Sequence, residues 1–313
     1  MAKYVFGVDV GGTTVKMGLF TVDGELLDKW EIKTRTEDGG KNVLPDIAAS
    51  IKKTIEDKGL LISDVEGVGI GVPGPVREDG TVLKCVNLGW GILNVEKELG
   101  ALVNLPVKAG NDANVAALGE MWQGGGKGHS NVVMVTLGTG VGGGIILNSK
   151  MLFGVNGAGG EIGHICVDTD ETEICGCGNT GCLEQYTSAT GVVRLAKRAM
   201  EASDKESGLR KLDAVTAKDV FDLAKAGDEL AGEVVDKQAE ILGRSLAMIA
   251  CVVDPEIFVI GGGVSKAGSI LTDAVQSYFE KYAFHACKKT QFALAELGND
   301  AGIYGAACSI LGK

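Results

Sequence analysis

A chain of 313 residues is longer than one ordinary core and suits two lobes of average size. Its formal charge of -11 comes without a cluster of Lys and Arg, which disfavours a nucleic-acid surface, because neutralising phosphates takes clustered cations. No apolar run reaches the roughly 18 residues of a membrane span, and an apolar strand starts within a few residues of Met1 with no leader pattern, so a cytoplasmic protein with no membrane partner is expected.

Tyr4–Val10 is an apolar, β-rich run, Gly11-Gly12-Thr13 a turn, and Val15–Phe20 β-rich again, which predicts strand, tight turn, strand. Side-chain-free glycines let an anion approach the backbone N–H groups at such a tip. Asp9, closing the first strand beside the turn, is placed to hold Mg2+ through water, and a turn-forming role suits it equally. Farther on, Asn111-Asp112 follows the apolar strand Val107–Ala109 and opens the amphipathic run Val115–Trp122. In α/β folds the carboxyl end of a strand is where ligands sit. Both residues are also good helix caps, so capping and catalysis stay open for Asp112. Transfer of phosphoryl to an alcohol calls for a carboxylate that orients the hydroxyl and takes its proton, and Asp112 suits that role.

Val132–Leu137, a turn over Gly138–Gly144 and Ile145–Leu147 repeat the first plan, as expected of an internal duplication. Gly138, Gly140 and Gly143 match G-x-G-x-x-G formally, with Glu161 near the distance of a ribose acid. They run into a strand-like segment and not a helix, so a dinucleotide fingerprint is not read here. Lys127 is followed by Gly128, which excludes a Walker A loop. Each turn alone is equally an ordinary glycine turn; together they favour a nucleotide.

The richest segment is Glu161–Glu184. His164 is followed by Cys175, Cys177 and Cys182 in a C-x-C-x4-C pattern, and three thiolates with one imidazole make a closed tetrahedral zinc site. Such a metal would fix Glu161 and Glu184 on a loop that Gly176, Gly178 and Gly181 otherwise leave mobile; chance clustering of cysteines is the alternative. The other five, Cys85, Cys166, Cys251, Cys287 and Cys308, are expected to be mostly buried apolar fillers. Gly191–Ala202, Ala217–Ala226 and Leu230–Val253 have helical periodicity and read as scaffold or subunit contacts. Gly261-Gly262-Gly263, between the strand Glu256–Ile260 and a helix near Ser269, admits a flat ring such as adenine, or is a plain turn.

These segments resemble the ROK family of sugar kinases, and within it the bacterial ATP-dependent glucokinases. The likeness runs through DVGGTTVK (Asp9–Lys16), IGVPGPV (Ile70–Val76), NLGW (Asn87–Trp90), NDANVAALGEMW (Asn111–Trp122), TLGTGVGGGI (Thr136–Ile145), GAGGEIGH (Gly157–His164), CGCGNTGCLE (Cys175–Glu184) and VIGGGVS (Val259–Ser265). It implies an α/β, two-lobed actin-like ATPase (ribonuclease H-like) fold with a zinc-bound loop, closing on ATP and a hexose. The small lobe would take residues 1–116 with the C-terminal helix 300–313, and the large lobe residues 117–299. By the same likeness Asp112 is the catalytic base, and Gly74, Asn87, Asn111, Glu161, His164 and Glu184 bind sugar hydroxyls. ATP, with Mg2+, would be held by Asp9, Gly11, Gly12, Thr13, Thr14, Lys16, Gly138, Thr139, Gly140, Gly262 and Gly263. Structural zinc would sit on His164, Cys175, Cys177 and Cys182, with the second ring nitrogen of His164 facing the sugar. The implied activity is ATP-dependent phosphorylation of glucose at its 6-hydroxyl for glycolysis by a homo-oligomer, a dimer or tetramer. Fructose, mannose or N-acetylmannosamine as acceptor, polyphosphate as donor, a sugar-responsive regulator of the same family and a non-catalytic zinc and sugar binding module are the alternatives. The regulator would need a helix-turn-helix ahead of the first strand, and the module a spoiled Asp112 or phosphate turn.

Overall fold

Two five-stranded sheets carry the architecture of a computed structural model that describes residues 2–312. In chain order the first strands and helices are β1 (Tyr4–Val10), β2 (Thr14–Thr21), β3 (Leu26–Lys33), α1 (Val43–Asp57), β4 (Val65–Val72), β5 (Thr81–Val82), β6 (Leu93–Asn94) and α2 (Val95–Val103). They continue with β7 (Val107–Asn111), α3 (Asp112–Gln123), β8 (Val132–Leu137), β9 (Val141–Leu147), β10 (Lys150–Met151), α4 (Glu184–Thr187), α5 (Ala189–Ala202) and α6 (Ala217–Lys225). The rest are α7 (Glu229–Val253), β11 (Ile257–Gly261), α8 (Ser269–Tyr282), β12 (Gln291–Leu294) and α9 (Ala301–Leu311). One sheet has the order β3-β2-β1-β4-β7 and the other β10-β9-β8-β11-β12. Counted along the chain within each sheet, the order is third or last hairpin strand, second, first, then two added strands, so both sheets follow the plan that the repeated strand–turn–strand pattern predicts.

The residues group into two compact units: Met1–Ser130 with Gly144–Gly160 and Glu296–Lys313, and Asn131–Gly143 with Glu161–Ala295. In the first, alternation along β1 sends Phe6, Val8 and Val10 into a core with Ile47 and Ile51 of α1 and Leu99 of α2. Val5 on the opposite face meets Ile303 and Ala307 of α9. Small residues allow that helix to press on the sheet: a Cβ on Gly7 would strike the Ile303 carbonyl, and one on Gly69 the Ala306 carbonyl. The close packing expected of the small-residue run GIYGAACSI is therefore present. The first unit extends past the boundary expected near Ala116 because α3 runs unbroken through that residue and lies against α9, with Gly119 against the Ala301 carbonyl. Glu120, fully buried, reinforces this end of the unit by accepting from the N–H of Gly125 at 2.9 Å, Glu296 at 3.0 Å and Leu297 at 2.9 Å.

In the second unit α8 packs against α7 and on β11 and β12. Phe258, Phe279 and Phe292 form a mutual ring cluster with centroids 5.2 to 5.5 Å apart. Three of its helices start on side-chain caps, with Ser188 before α5, Asp228 before α7 and a reciprocal Thr216–Asp219 box before α6.

Two expectations are corrected. The turn expected over Gly138–Gly144 ends at Gly140, and β9 begins at Val141. The glycine run reads as a turn, yet Gly144 serves close packing: a Cβ there would strike Ala117 and the Ala113 carbonyl of α3. Of the cysteines expected to fill the core, Cys85, Cys287 and Cys308 are buried, whereas Cys166 and Cys251 are exposed. Cys251 lies on the outer face of α7, and Cys166 sits in an isolated bridge opposite Cys182 with its thiol turned to the Asp168 carbonyl at 3.6 Å.

Candidate active site

In the first unit the head of α3 shows which of the two residues caps the helix. Asn111 ends β7 in extended backbone and its side-chain oxygen accepts from the N–H groups of Ala113 at 3.0 Å and Asn114 at 3.2 Å. Its amide donates to the Gly74 carbonyl at 3.1 Å, which ties these two predicted sugar residues together. Capping thus belongs to Asn111, and Asp112, the first helical residue, keeps one oxygen on the Ala113 N–H at 2.8 Å. Gly74 has a φ of 94° and its Cα lies against the Lys84 carbonyl, a place that excludes other residues. Asn87 is exposed on the turn closed by the Cys85 and Trp90 backbones. Burial pushes the Cys85 thiol of that turn up, and the charge of Asp112 adds to it, so the turn lies within electrostatic reach of Asp112.

Asp9, one residue before the end of β1, has its carboxyl against Gly302 in the first turn of α9. Burial pushes its pKa up to about 6, with the charge of Asp112 adding to the rise and Lys16 opposing it. Two neighbouring acids opposed by one lysine, whose amine also donates to the Asn299 carbonyl at 2.9 Å, make a place that a divalent cation would relieve. In the adjoining turn the Gly11 N–H closes on the Thr14 carbonyl at 3.0 Å, and Thr34 holds the Gly11 carbonyl at 2.7 Å. Gly11 therefore shapes the turn, and Gly12 and Thr13 form its tip. A Cβ on Gly12 would meet nothing within 4 Å, and its φ is not in the left-handed region. Gly12→Val is accordingly expected to leave Tm within about 2 °C while raising the KM for ATP on the order of tenfold; thermal melts beside kinetics check this. Equal loss of sugar and ATP binding would contradict it.

In the second unit the turn after β8 is tighter. The Gly138 N–H closes on the Gly140 carbonyl at 3.0 Å, leaving Thr139 at the tip. The turn docks on the start of α5: the Ala189 N–H donates to the Gly138 carbonyl at 2.8 Å, and the Thr190 hydroxyl to the Thr139 carbonyl at 2.7 Å. The positive end of the helix dipole so faces the turn, which favours anionic groups there. Gly140 also lies against the Glu184 carboxylate, whose Oε2 accepts from the Val141 N–H at 3.4 Å.

Thr139, Gly140, Glu184, Arg194 and Lys197 line a cavity of about 930 Å³. A second cavity, of about 360 Å³, shares Ala189, Thr216 and Ala217 with it and is otherwise lined by Phe221, Gly263 and Val264 among others. Gly263 lines this smaller cavity. Gly262, with a φ of 85°, has its Cα against the Leu137 backbone and secures the strand ends. Phe221 and Thr216 are absent from the sequence reading, although Thr216 carries the capping-box signal that locates α6.

The four predicted metal ligands converge. His164, Cys175, Cys177 and Cys182 bring their donor atoms within 4.8 Å of one another, with Cys177 and Cys182 sulfurs 3.6 Å apart and His164 Nδ1 3.9 Å from the Cys175 sulfur. A tetrahedral zinc with bonds of about 2.3 Å needs sulfurs about 3.8 Å apart, so this donor set fits zinc. Burial pushes the Cys175 thiol up to about 12, while the Asn179 N–H lowers that of Cys177. A cation among them would offset the cost of forming the buried thiolate. Nδ1 of His164 faces the sulfurs and Nε2 faces Glu161 Oε2 at 3.9 Å, the orientation in which one nitrogen serves a metal and the other stays available. Glu184 Oε1 takes the Cys175 thiol at 2.9 Å, so the cluster and Glu184 are directly joined.

The ROK family model matches residues 5–312. The chain belongs to the ROK family. Among ROK relatives, a glucokinase of Halalkalibacterium halodurans is 46% identical over 97% of this chain and 93% of its own length. A glucokinase of Thermotoga maritima is 37% identical over 98% of this chain and 96% of its own. Of solved structures, a ROK family glucokinase from Streptomyces griseus in complex with glucose and AMPPNP superposes with a TM-score of 0.73 at 35% identity, covering 97% of this chain and 98% of that one. The mixed α/β fold is thus that of ROK sugar kinases. No helix of the described residues is long and apolar enough to cross a membrane.

Proposed function

We propose that this chain is an ATP-dependent glucokinase, moving the γ-phosphoryl of ATP to the 6-hydroxyl of glucose. The observation that supports the reading is the head of α3, where the helix cap is Asn111 and Asp112 follows as the first helical residue. Its neighbour Asp9 and the turn at Gly12–Thr13 belong to the same unit. Asp112 accepts the proton of the 6-hydroxyl as that oxygen bonds the γ-phosphorus and the bond from the γ-phosphorus to the bridging oxygen breaks, with ADP as the leaving group. Backbone N–H groups of Gly12, Thr13, Thr139 and Gly140 bind phosphoryl oxygens, assisted by the start of α5, and the cavity at Phe221 and Gly263 accepts the base. Mg2+, held through Asp9, supplies charge neutralisation between phosphoryl oxygens when bound.

Gly74, Asn87, Asn111, Glu161, His164 and Glu184 take the sugar hydroxyls. Acceptor-only carboxylates and an amide at fixed angles separate epimers, since a wrong epimer leaves a buried group unpaired at a cost of about 1–3 kcal/mol. His164, Cys175, Cys177 and Cys182 would hold zinc, which would keep the Glu184 loop in place. Cys177→Ser is expected to lose the metal and raise the glucose KM on the order of 10- to 100-fold. Metal analysis beside kinetics decides, and full activity in zinc-free protein would refute the role. The reading itself is tested by ADP release with ATP against glucose, mannose, fructose and N-acetylmannosamine. Glucose is expected to give the highest kcat/KM, and activity on none would remove the kinase assignment.

A further inference from the structure

The loop that carries Cys175 contains a buried acid with no place in the reaction. The Glu171 side chain is 2% exposed, and it gathers donors from two helices. Arg198 of α5 gives Nη1 to Oε2 at 3.0 Å and Nη2 to Oε1 at 3.1 Å, and Arg194 of the same helix donates to Oε2 as well. The Tyr186 hydroxyl of α4 lies 2.6 Å from Oε2 and 2.7 Å from Asp168 Oδ2. The N–H groups of Thr172 and Glu173 both reach Oε1 at 2.9 Å. Led by Arg198, these bonds hold the Glu171 carboxyl well below the usual carboxylate range against the opposing effect of burial.

The same cluster bears on the helix that begins at Glu184. Helix α4 starts on Glu184 and is four residues long, too short to hold itself by its own hydrogen bonds. Its next residue, Gln185, accepts from Arg194 Nη1 at 3.1 Å, donates to the Glu173 carbonyl at 2.9 Å and accepts the Cys182 N–H at 3.0 Å. Tyr186 follows, tied to Glu171. Tyr186 and the Glu173 carbonyl thus tie α4 to the metal loop through Glu171, a residue bound to it or one beside it in the chain, next to the Cys182–Gln185 bonds and the thiol on Glu184.

We propose that Glu171 is a positioning residue: its ion cluster fixes the metal loop on α4 and so sets the place of the Glu184 carboxylate and of Cys175. This rests on the reading of Glu184 as a sugar ligand. The cluster works on sugar affinity and metal retention, with the chemical step untouched. The experiment compares zinc-loaded wild type with Glu171→Gln, which keeps the side-chain shape, and with Tyr186→Phe, which removes one hydroxyl and guards against a misfolded first variant. Kinetics with glucose and with ATP are paired with zinc release to a chromophoric chelator, a readout independent of activity.

Glu171→Gln is expected to raise the glucose KM and the zinc release rate each about tenfold, the scale seen when a residue behind a metal ligand is altered. The kcat and the KM for ATP should stay within about twofold, and Tyr186→Phe should shift the same two quantities by about threefold. Unchanged zinc release and glucose KM in folded variants would overturn the proposal, as would equal rises in both KM values, which mark a general loss of structure. If wild type shows no activity on glucose, the kinase reading fails, and zinc release alone still decides whether Glu171 positions the loop.

Discussion

Asp112→Asn is expected to lower kcat by about 10²–10⁴-fold while leaving the Kd for glucose within about threefold. The split follows from position. Asn111 already caps α3, so the helix keeps its start when Asp112 becomes an amide. An amide retains an acceptor oxygen for orienting a hydroxyl but takes up no proton. Glucose titrated into the variant by calorimetry, beside turnover, separates binding from chemistry. Turnover within tenfold of wild type would remove Asp112 from the mechanism. Loss of glucose affinity in step with kcat would make it a binding residue only.

The second large effect concerns stability and has an unusual direction. Asp9 is an acid whose folded pKa is raised, from 3.8 to about 6, by burial first and by Asp112 second. Between those two values the folded state binds the proton more tightly than the unfolded chain. Stability therefore falls as pH rises through that window and stays reduced above it. A shift of this size corresponds to about 3 kcal/mol at most. Asp9→Asn, in the absence of metal and nucleotide, should accordingly be more stable than wild type at pH 7.5 by on the order of 2 kcal/mol. At pH 4 the difference should nearly vanish. The same variant should lose most of its kcat, since a site acid that is destabilising when unliganded is kept for what it binds. Urea melts at the two pH values check this. A variant less stable than wild type at pH 7.5 would show that Asp9 is a structural acid.

Legibility in the sequence followed how local each feature is. The first strands and their turn, Tyr4–Val10 to Thr21, are written in consecutive residues, and so is the ligand set at Cys175, Cys177 and Cys182, whose spacing already limits it to one short loop. Asn111 and Asp112 were undecidable in sequence because both residue types cap helices well; the backbone of β7 had to show which one stands outside the helix. Gly142–Gly144 reads as a turn because glycine marks both turns and close approaches, and only the position of α3 tells them apart. Glu171 carried no sequence signal at all. Its partners Tyr186, Arg194 and Arg198 lie on two helices that the chain folds back over the loop, and charged residues in a polar segment look solvated. The exposure of Cys166 and Cys251 was hidden for a similar reason, since a free cysteine is usually buried.

The central claim is that phosphorus moves from ATP to one oxygen of glucose. Phosphorus NMR of the zinc- and Mg2+-supplied protein with ATP and glucose tests it most directly. The account predicts ADP and glucose 6-phosphate in equal amounts, with neither formed by Asp112→Asn on the same timescale. ADP with free phosphate and no sugar phosphate, or a phosphoryl group on another hydroxyl, would contradict it.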